Sequence, residues 1–122
     1  MELSSEFWTY LDILASSSLI KIDRPRGSSH PCYQEMIYPL DYGYLESTSA
    51  GDSQGIDVWL GSSGDDKING ILCSVDLQKK DVEIKLLVGC TDADLVNIQS
   101  FSNQGSMRVM LIQRRRDEPK DG

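Results

Sequence analysis

The chain has 122 residues, of which 39% are apolar and 25% are charged, and its formal net charge is −7 at pH 7. This length suits one domain, which we expect to span residues 1–122, with the tail from 115 to 122 disordered. The composition is that of a globular protein and not of a fibrous, disordered or membrane-spanning one. Because nucleic acids and anionic membranes are bound through clustered cations, the acidic balance argues against both as partners.

The three cysteines, Cys32, Cys73 and Cys90, give no disulfide or metal pattern, since their number is odd and no two have C-x-x-C spacing. The first six residues lack the basic region of a secretory leader. A reducing, cytoplasmic location is therefore expected. A homo-oligomer is compatible with the sequence, although no pattern in it specifies one.

The first third of the chain predicts a helix, a strand and an ordered loop. Ser4 or Ser5 can cap the helix. Its apolar residues recur at helical spacing, at Phe7, Tyr10, Leu11 and Leu14. The alternating run 19–23 predicts a short strand. The stretch 24–36 is rich in Pro, Gly and Ser, which indicates a loop.

The remaining elements are mostly strands. Apolar runs predict strands at 56–60, 68–77, 82–88 and 107–112. The second and third of these follow each other closely and should form a hairpin. Thr91 can cap a second helix, with Asp94 at the capping-box position. Because strands and helices do not alternate, we expect an α+β, mainly β fold, either a small antiparallel barrel or a strongly twisted sheet.

Four aspartates stand in two pairs with the same spacing. Asp52 and Asp57 flank a turn and the start of a strand, and Asp76 and Asp81 flank the tip of the predicted hairpin. If these strand ends meet, the carboxylates repel one another unless a divalent cation neutralises them. Carboxylate oxygens suit Mg²⁺ or Mn²⁺. The alternative interpretation is that all four are solvated turn residues.

A tyrosine-rich segment lies between the loop and these aspartates. Tyr38, Tyr42 and Tyr44 surround Pro39 and Gly43. Their hydroxyls could donate hydrogen bonds to phosphate oxygens. They could equally cover one end of a barrel with their rings while the hydroxyls face solvent.

Four segments resemble, in the same order, the signatures of the soluble inorganic pyrophosphatases. Residues 38–44 are similar to Y-P-x-N-Y-G-(F/Y), and residues 51–58 to D-G-D-P-x-D-V. Upstream, residues 22–28 are similar to (V/I)-E-I-P-K-G-S. Downstream, residues 70–81 resemble the G-x-L segment and the D-(E)-x-x-x-D metal ligands of that family.

The resemblance implies a small OB-type five-stranded barrel, with an N-terminal helix and a helix before the last strand. It also implies hydrolysis of inorganic pyrophosphate with Mg²⁺, for which Mn²⁺ is a second candidate. Asp52 and Asp57 would be catalytic. The implied metal ligands are Asp52, Asp57, Asp76 and Asp81. The implied substrate-binding residues are Tyr38, Tyr42, Arg24 and Arg26.

The chain also departs from the family pattern. Without a gap, Gln54 stands where the family has the middle aspartate, and with a gap Asp52 takes that place and the outer aspartate is missing. Leu77 replaces a glutamate, and Glu83 replaces a phosphate-binding lysine. His30 is a further candidate for phosphate binding. These losses favour the alternative of a catalytically impaired barrel that binds a metal, a ligand or a protein.

Overall fold

The computed structural model describes residues 5–51 and 54–115 and contains two helices and six strands. In chain order they are α1 (Ser5–Ser16), β1 (Ile20–Arg24), β2 (Asp41–Leu45), β3 (Ile56–Leu60), β4 (Ile68–Asp76), β5 (Asp81–Val88), α2 (Asp92–Ser102) and β6 (Met107–Gln113). The two predicted helices and five predicted strands are confirmed in this order, and β2, within the tyrosine-rich segment, is a further strand. The tail predicted to be disordered lies, apart from Arg115, outside the described residues.

The six strands form one mixed sheet in the order β1-β2-β3-β5-β4-β6. All neighbours are antiparallel except β3 and β5, which are parallel, with Val58 opposite Leu86. Among the described residues the sheet is not closed, because β1 and β6 are its two edges. The α+β, mainly β class is therefore confirmed, whereas the OB-type five-stranded barrel is not: the sheet has a sixth strand and stays open.

Helix α1 covers one face of the sheet through Trp8, which is 4% exposed. The predicted stripe was wrong at Phe7 and Tyr10, which are 44% and 69% exposed. Leu11 and Leu14 of the predicted stripe do pack against the core, together with Trp8 and Val58. An indole buries more apolar area than its neighbours, and placing it inward turns Phe7 and Tyr10 away from the sheet.

Helix α2 covers the opposite face. Leu95 and Ile98 are buried there against Trp59 and Leu87, as the sequence predicted for the helix. The predicted capping box at Thr91 and Asp94 is present. Neither α1 nor α2, the helices of the described residues, has the length and apolar content needed to cross a membrane.

The carboxylate of Asp94 also ties α2 to the loop that follows β3. It accepts hydrogen bonds from the backbone N–H of Ser62, at 2.9 Å, and from its hydroxyl. Burial opposes the charge, but the hydrogen bonds from Ser62 and Thr91 outweigh it and lower the pKa of Asp94. This contact fixes α2 over one end of its sheet face.

The other end of the same sheet face is polar. Side chains alternate along strands, so Trp59 and Leu87, which contact the α2 core, share their face with Asp57 and Lys85. On the same face lie further residues of β4 and β5, namely Ser74, Asp76, Asp81 and Glu83. We call this region the polar sheet end, and it contains three of the four aspartates singled out in the sequence.

Gly43 separates the two tyrosines of β2 for a steric reason. A Cβ atom at this position would collide with the backbone carbonyl of Lys21 on β1. Only glycine therefore lets β1 approach β2 this closely. The close approach keeps Arg24, at the end of β1, opposite Tyr42.

Candidate functional site

A buried lysine forms the centre of the polar sheet end. Lys85, which is 8% exposed, donates hydrogen bonds from Nζ to Tyr42 Oη at 2.8 Å, Glu83 Oε2 at 3.0 Å and Asp57 Oδ2 at 3.1 Å. The contacts to Asp57 and Glu83 are salt bridges. Three neighbouring strands, β2, β3 and β5, supply these groups, so the geometry depends on the sheet and not on a loop.

The surroundings keep Lys85 charged and Tyr42 neutral. Burial opposes the charge on Lys85, but Tyr42, Asp57 and Glu83 outweigh it and raise the pKa of the ammonium. Burial also raises the pKa of Tyr42, and Asp57 adds to the increase although Lys85 opposes it. At neutral pH the cluster is therefore an ammonium held by two carboxylates and a phenol.

A second tyrosine–cation pair lies beside the first. Arg24 donates a hydrogen bond to Tyr38 Oη at 2.6 Å, and its guanidinium lies 5.7 Å from the centre of the Tyr38 ring. Lys85 Nζ lies 5.3 Å from the centre of the Tyr42 ring. The centres of the two tyrosine rings are 5.8 Å apart. Because the Tyr38 hydroxyl accepts from Arg24, its own proton stays available for another acceptor.

His30, in the loop before β2, adds a third group to this side. Its ring is nearly parallel to the Tyr38 ring, with 6.1 Å between their centres. His30 Nδ1 accepts hydrogen bonds from the backbone N–H groups of Cys32 and Tyr33, which leaves the proton of the neutral ring on Nε2. Burial, followed by the charges of Arg24 and Lys79, lowers the pKa of His30.

Arg26, predicted to bind substrate, is exposed and makes a different contact. Its backbone N–H donates a hydrogen bond of 2.8 Å to Asp41 Oδ1. This contact fastens the loop to the start of β2. Arg24 is therefore the arginine that the structure brings to the tyrosines, and the role of the Arg26 side chain stays a prediction.

Asp76 has a structural task at the tip of the β4–β5 hairpin. Its Oδ1 accepts hydrogen bonds from the hydroxyl of Ser106 at 2.7 Å and from the backbone N–H groups of Gln78 and Lys79 at 2.9 and 3.2 Å. The bond from Ser106, followed by the one from Lys79, lowers the pKa of Asp76. The carboxylate thereby joins the hairpin to the start of β6.

The described aspartates form two separate groups. Asp76 and Asp81 are directly opposite each other across the hairpin. Because Val58 pairs with Leu86, Asp57 on β3 is level with Lys85 on β5. Asp81 is four residues before Lys85 on β5, which corresponds to about 13 Å along the strand. Asp52, the fourth predicted ligand, lies outside the described residues.

The donor set does not fit a resident metal ion in this state. In residues 5–51 and 54–115, no group of three or more His, Cys, Asp or Glu side chains could hold a metal ion. Asp57 and Glu83 have suitable oxygens, but the ammonium of Lys85 lies between them. One oxygen of Asp76 already accepts three hydrogen bonds.

Lys85 is the site residue that the sequence reasoning missed. The signal was present, because Glu83 and Lys85 are two positions apart on one strand and must share a face. Glu83 stands where the pyrophosphatase pattern has a lysine, and Lys85 brings a cation to the same face one step further along β5.

The relationship to known proteins was tested by comparison of sequences. No family model and no curated protein matched the chain. Its class is therefore defined by its own fold, an open mixed sheet between two helices, and by the two tyrosine–cation pairs on that sheet.

Proposed function

We propose that the chain binds a small phosphate-containing anion beside the polar sheet end, and that its reaction is the Mg²⁺-dependent hydrolysis of inorganic pyrophosphate. The observation that carries the proposal is the pair of tyrosine–cation contacts, Arg24 with Tyr38 and Lys85 with Tyr42, side by side on one face. The motif resemblance gives the substrate. Mn²⁺ is the second candidate metal.

The donors near Tyr38 match what a phosphate group needs. A guanidinium and a phenol together offer charge-assisted and neutral hydrogen bonds to phosphate oxygens. His30, whose ring is nearly parallel to that of Tyr38, would add an Nε2–H donor. To attract an anion, these donors would have to outweigh the negative charges of Asp57 and Glu83 on the same sheet face.

Metal ions would have to enter together with the anion. The motif suggests Asp52, Asp57, Asp76 and Asp81 as the metal ligands. For a metal to bind, the contacts of Asp57 with Lys85 and of Asp76 with Ser106 would have to open. When bound, such a metal supplies a bound water of lowered pKa and neutralises phosphate charge. In this proposal Arg24 and the Tyr38 hydroxyl orient the anion. Kinship with the pyrophosphatases would make the open sheet a variant of their OB-type barrel.

The test is phosphate release from pyrophosphate and from a panel of nucleotides, with Mg²⁺, Mn²⁺ and Zn²⁺ in turn. We expect release with pyrophosphate and Mg²⁺, abolished by Asp57→Asn. Asp66→Asn, at an exposed position outside the polar sheet end, is the matched control and should keep the wild-type rate. Absence of release with every metal and substrate would overturn the hydrolase proposal.

A second candidate function is anion binding without turnover. Asp57 is already bonded to Lys85, and Asp81 lies about 13 Å further along the sheet. In addition, Gln54 stands where the family motif has an aspartate. These three features favour binding without turnover. It predicts that pyrophosphate raises the melting temperature, because a ligand that binds only the native state stabilises it, while no phosphate is released.

A further inference from the structure

Helix α1 covers only one end of its sheet face. Asp12 fastens it where β4 begins, because its carboxylate accepts hydrogen bonds from the backbone N–H of Ile68 and from Arg114. Towards the tip of the β4–β5 hairpin, the outward side chains of this face are apolar and remain accessible. They are Val75, Val82, Ile84 and Met110, with exposed fractions of 40%, 72%, 54% and 59%, and we call them the bare apolar patch.

The register of the sheet makes this patch continuous across three strands. Cys73 on β4 is opposite Met110 on β6 and Ile84 on β5, and Val75 is opposite Val82. Because side chains alternate along a strand, these residues share their face with the β4, β5 and β6 residues of the core under α1. Directly opposed side chains are about 5 Å apart, so the patch meets solvent as one surface.

The charges of the hairpin leave this surface free of carboxylates. The acidic residues of β4 and β5 all belong to the polar sheet end, on the opposite face. Arg108 is on the patch side, opposite Val75, but its guanidinium donates hydrogen bonds to the backbone carbonyls of Gly105 and Met107. In a protein of net charge −7, two copies can meet here without bringing these carboxylates together.

The outer side of α1 is apolar as well. Phe7, Tyr10 and Ile13 are 44%, 69% and 59% exposed. A helix on a sheet forms a ridge about 10 Å high, and the bare apolar patch is the lower surface on the same face. One side of the molecule therefore carries both a ridge and a recess of matching apolar character. A self-complementary surface of this kind is what a two-fold contact between identical chains requires.

The exposed apolar area is large for a monomer. With Leu77 at the hairpin tip, which is 75% exposed, the ridge and the patch hold on the order of 600 Å² of accessible side-chain surface. The largest apolar patch of an ordinary monomer measures about 300–600 Å². Each partner in a standard-size interface buries about 800 Å², of which this surface supplies most and a polar rim the rest.

We propose that this side of the molecule is the interface of a homodimer, in which α1 of each copy lies on the bare apolar patch of the other. A second copy is the occupant that the surface favours, because one chain carries both halves of the contact. The inference does not depend on the proposed function. The polar sheet end lies on the opposite face of the sheet and stays open in such a dimer.

Sedimentation equilibrium of the full chain measures its mass against concentration. Wild type should sediment at twice 13.6 kDa, with a Kd in the micromolar range or below. Val82→Glu buries an unpaired carboxylate in each half of the interface and should raise that Kd at least about tenfold. Val96→Glu makes the same change at a valine of α2 that is 64% exposed, and should leave the Kd unchanged. A wild type that stays at 13.6 kDa at about 100 μM, or equal Kd values for the two variants, would overturn the proposal.

A mixing experiment tests the contact of α1 with the patch. Tyr10→Lys places a cation on the ridge and should also weaken self-association. In an equimolar mixture with Val82→Glu, one half of the dimer is unchanged, and the other half brings a lysine ridge to a glutamate recess. The mixture should dimerise at least about tenfold more tightly than either variant alone, and a mixture that does not would refute this arrangement.

Both substituted positions are largely exposed, at 69% for Tyr10 and 72% for Val82, so the fold of one chain does not depend on them. Circular dichroism checks that each variant is folded. Met110→Glu, at another exposed position of the patch, repeats the test if Val82→Glu is not folded.

Discussion

At the scale of residues, the polar sheet end is built on one buried cation and two phenols. Lys85 could have been found from the alternation of β5, but its partners could not. Tyr42 and Asp57 are 43 and 28 residues away in the chain, and only strand pairing brings them together. The tyrosine motif was visible in the sequence, but the contacts of Tyr38 with Arg24 and of Tyr42 with Lys85 were not.

Removal of the Lys85 charge should destabilise the protein. Lys85→Met leaves Asp57 and Glu83 without their partner, and breaking a buried ion pair from one side costs about 3–5 kcal/mol. Both carboxylates are 30% exposed, so we expect a smaller loss in the free energy of unfolding, about 2–3 kcal/mol. Urea denaturation measures it. Lys67→Met should stay within about 0.5 kcal/mol of wild type, and an equally small loss for Lys85→Met would contradict the role of the cluster.

Loss of the Tyr38 hydroxyl should weaken anion binding more than it weakens the fold. Tyr38→Phe keeps the buried ring, which is 4% exposed, and removes a donor next to Arg24. A charge-assisted hydrogen bond contributes about 1.5–3 kcal/mol, so the Kd for pyrophosphate should rise at least about tenfold. Calorimetry measures the change. The matched control is Tyr33→Phe, at an exposed tyrosine, and equal effects of the two changes would refute a role for Tyr38.

His30 should titrate below its ordinary value of 6.5, since burial, Arg24 and Lys79 all lower its pKa. As the pH falls, His30 is therefore protonated at a higher pH in the unfolded chain than in the folded protein. The contribution of His30 to stability is therefore full above pH 6.5 and is lost as the pH drops towards the folded pKa.

His30 is the one histidine in the sequence, so its ring resonances can be followed by NMR without ambiguity. Addition of pyrophosphate should raise the measured pKa, because a nearby anion favours the imidazolium. A free-protein pKa of 6.5 or above would contradict the geometry described for the loop.

At the scale of elements, local patterns predicted both helices and five of the six described strands within a few residues; β2 was missed. They failed where the pairing of a strand depends on residues far away in the sequence. The parallel pairing of β3 with β5 brings together Val58 and Leu86, which are far apart in the chain, and no local pattern encodes it. This pairing places β5 inside the sheet. The sheet of the described residues is open for a different reason, because its edge strands β1 and β6 do not pair with each other.

Helix α1 gives the clearest test at this scale. Trp8 is buried against the sheet, whereas Phe7 beside it is largely exposed. We expect Trp8→Ala to lower the free energy of unfolding by about 3–5 kcal/mol. Phe7→Ala should cost less than about 1 kcal/mol. Chemical denaturation compares them, and a larger loss for Phe7→Ala would mean that the helix faces the sheet with the originally predicted stripe.

At the scale of the whole molecule, the net charge is −7, and the face that carries Arg24, His30 and Lys85 also carries the carboxylates of the polar sheet end. The net negative charge of the protein repels a polyanion at long range. The interaction must come from this local set of donors and from any metal that accompanies the anion. The central claim is therefore that the side of the polar sheet end that carries Arg24 and Tyr38 receives pyrophosphate.

A ³¹P NMR spectrum of pyrophosphate with excess protein and Mg²⁺ tests this claim directly, because it detects binding and hydrolysis in one sample. The account predicts that the pyrophosphate resonance shifts or broadens and is then replaced by that of phosphate, and that Tyr38→Phe reduces the first effect. A pyrophosphate resonance that is unchanged in position, width and intensity in the presence of excess protein would contradict it.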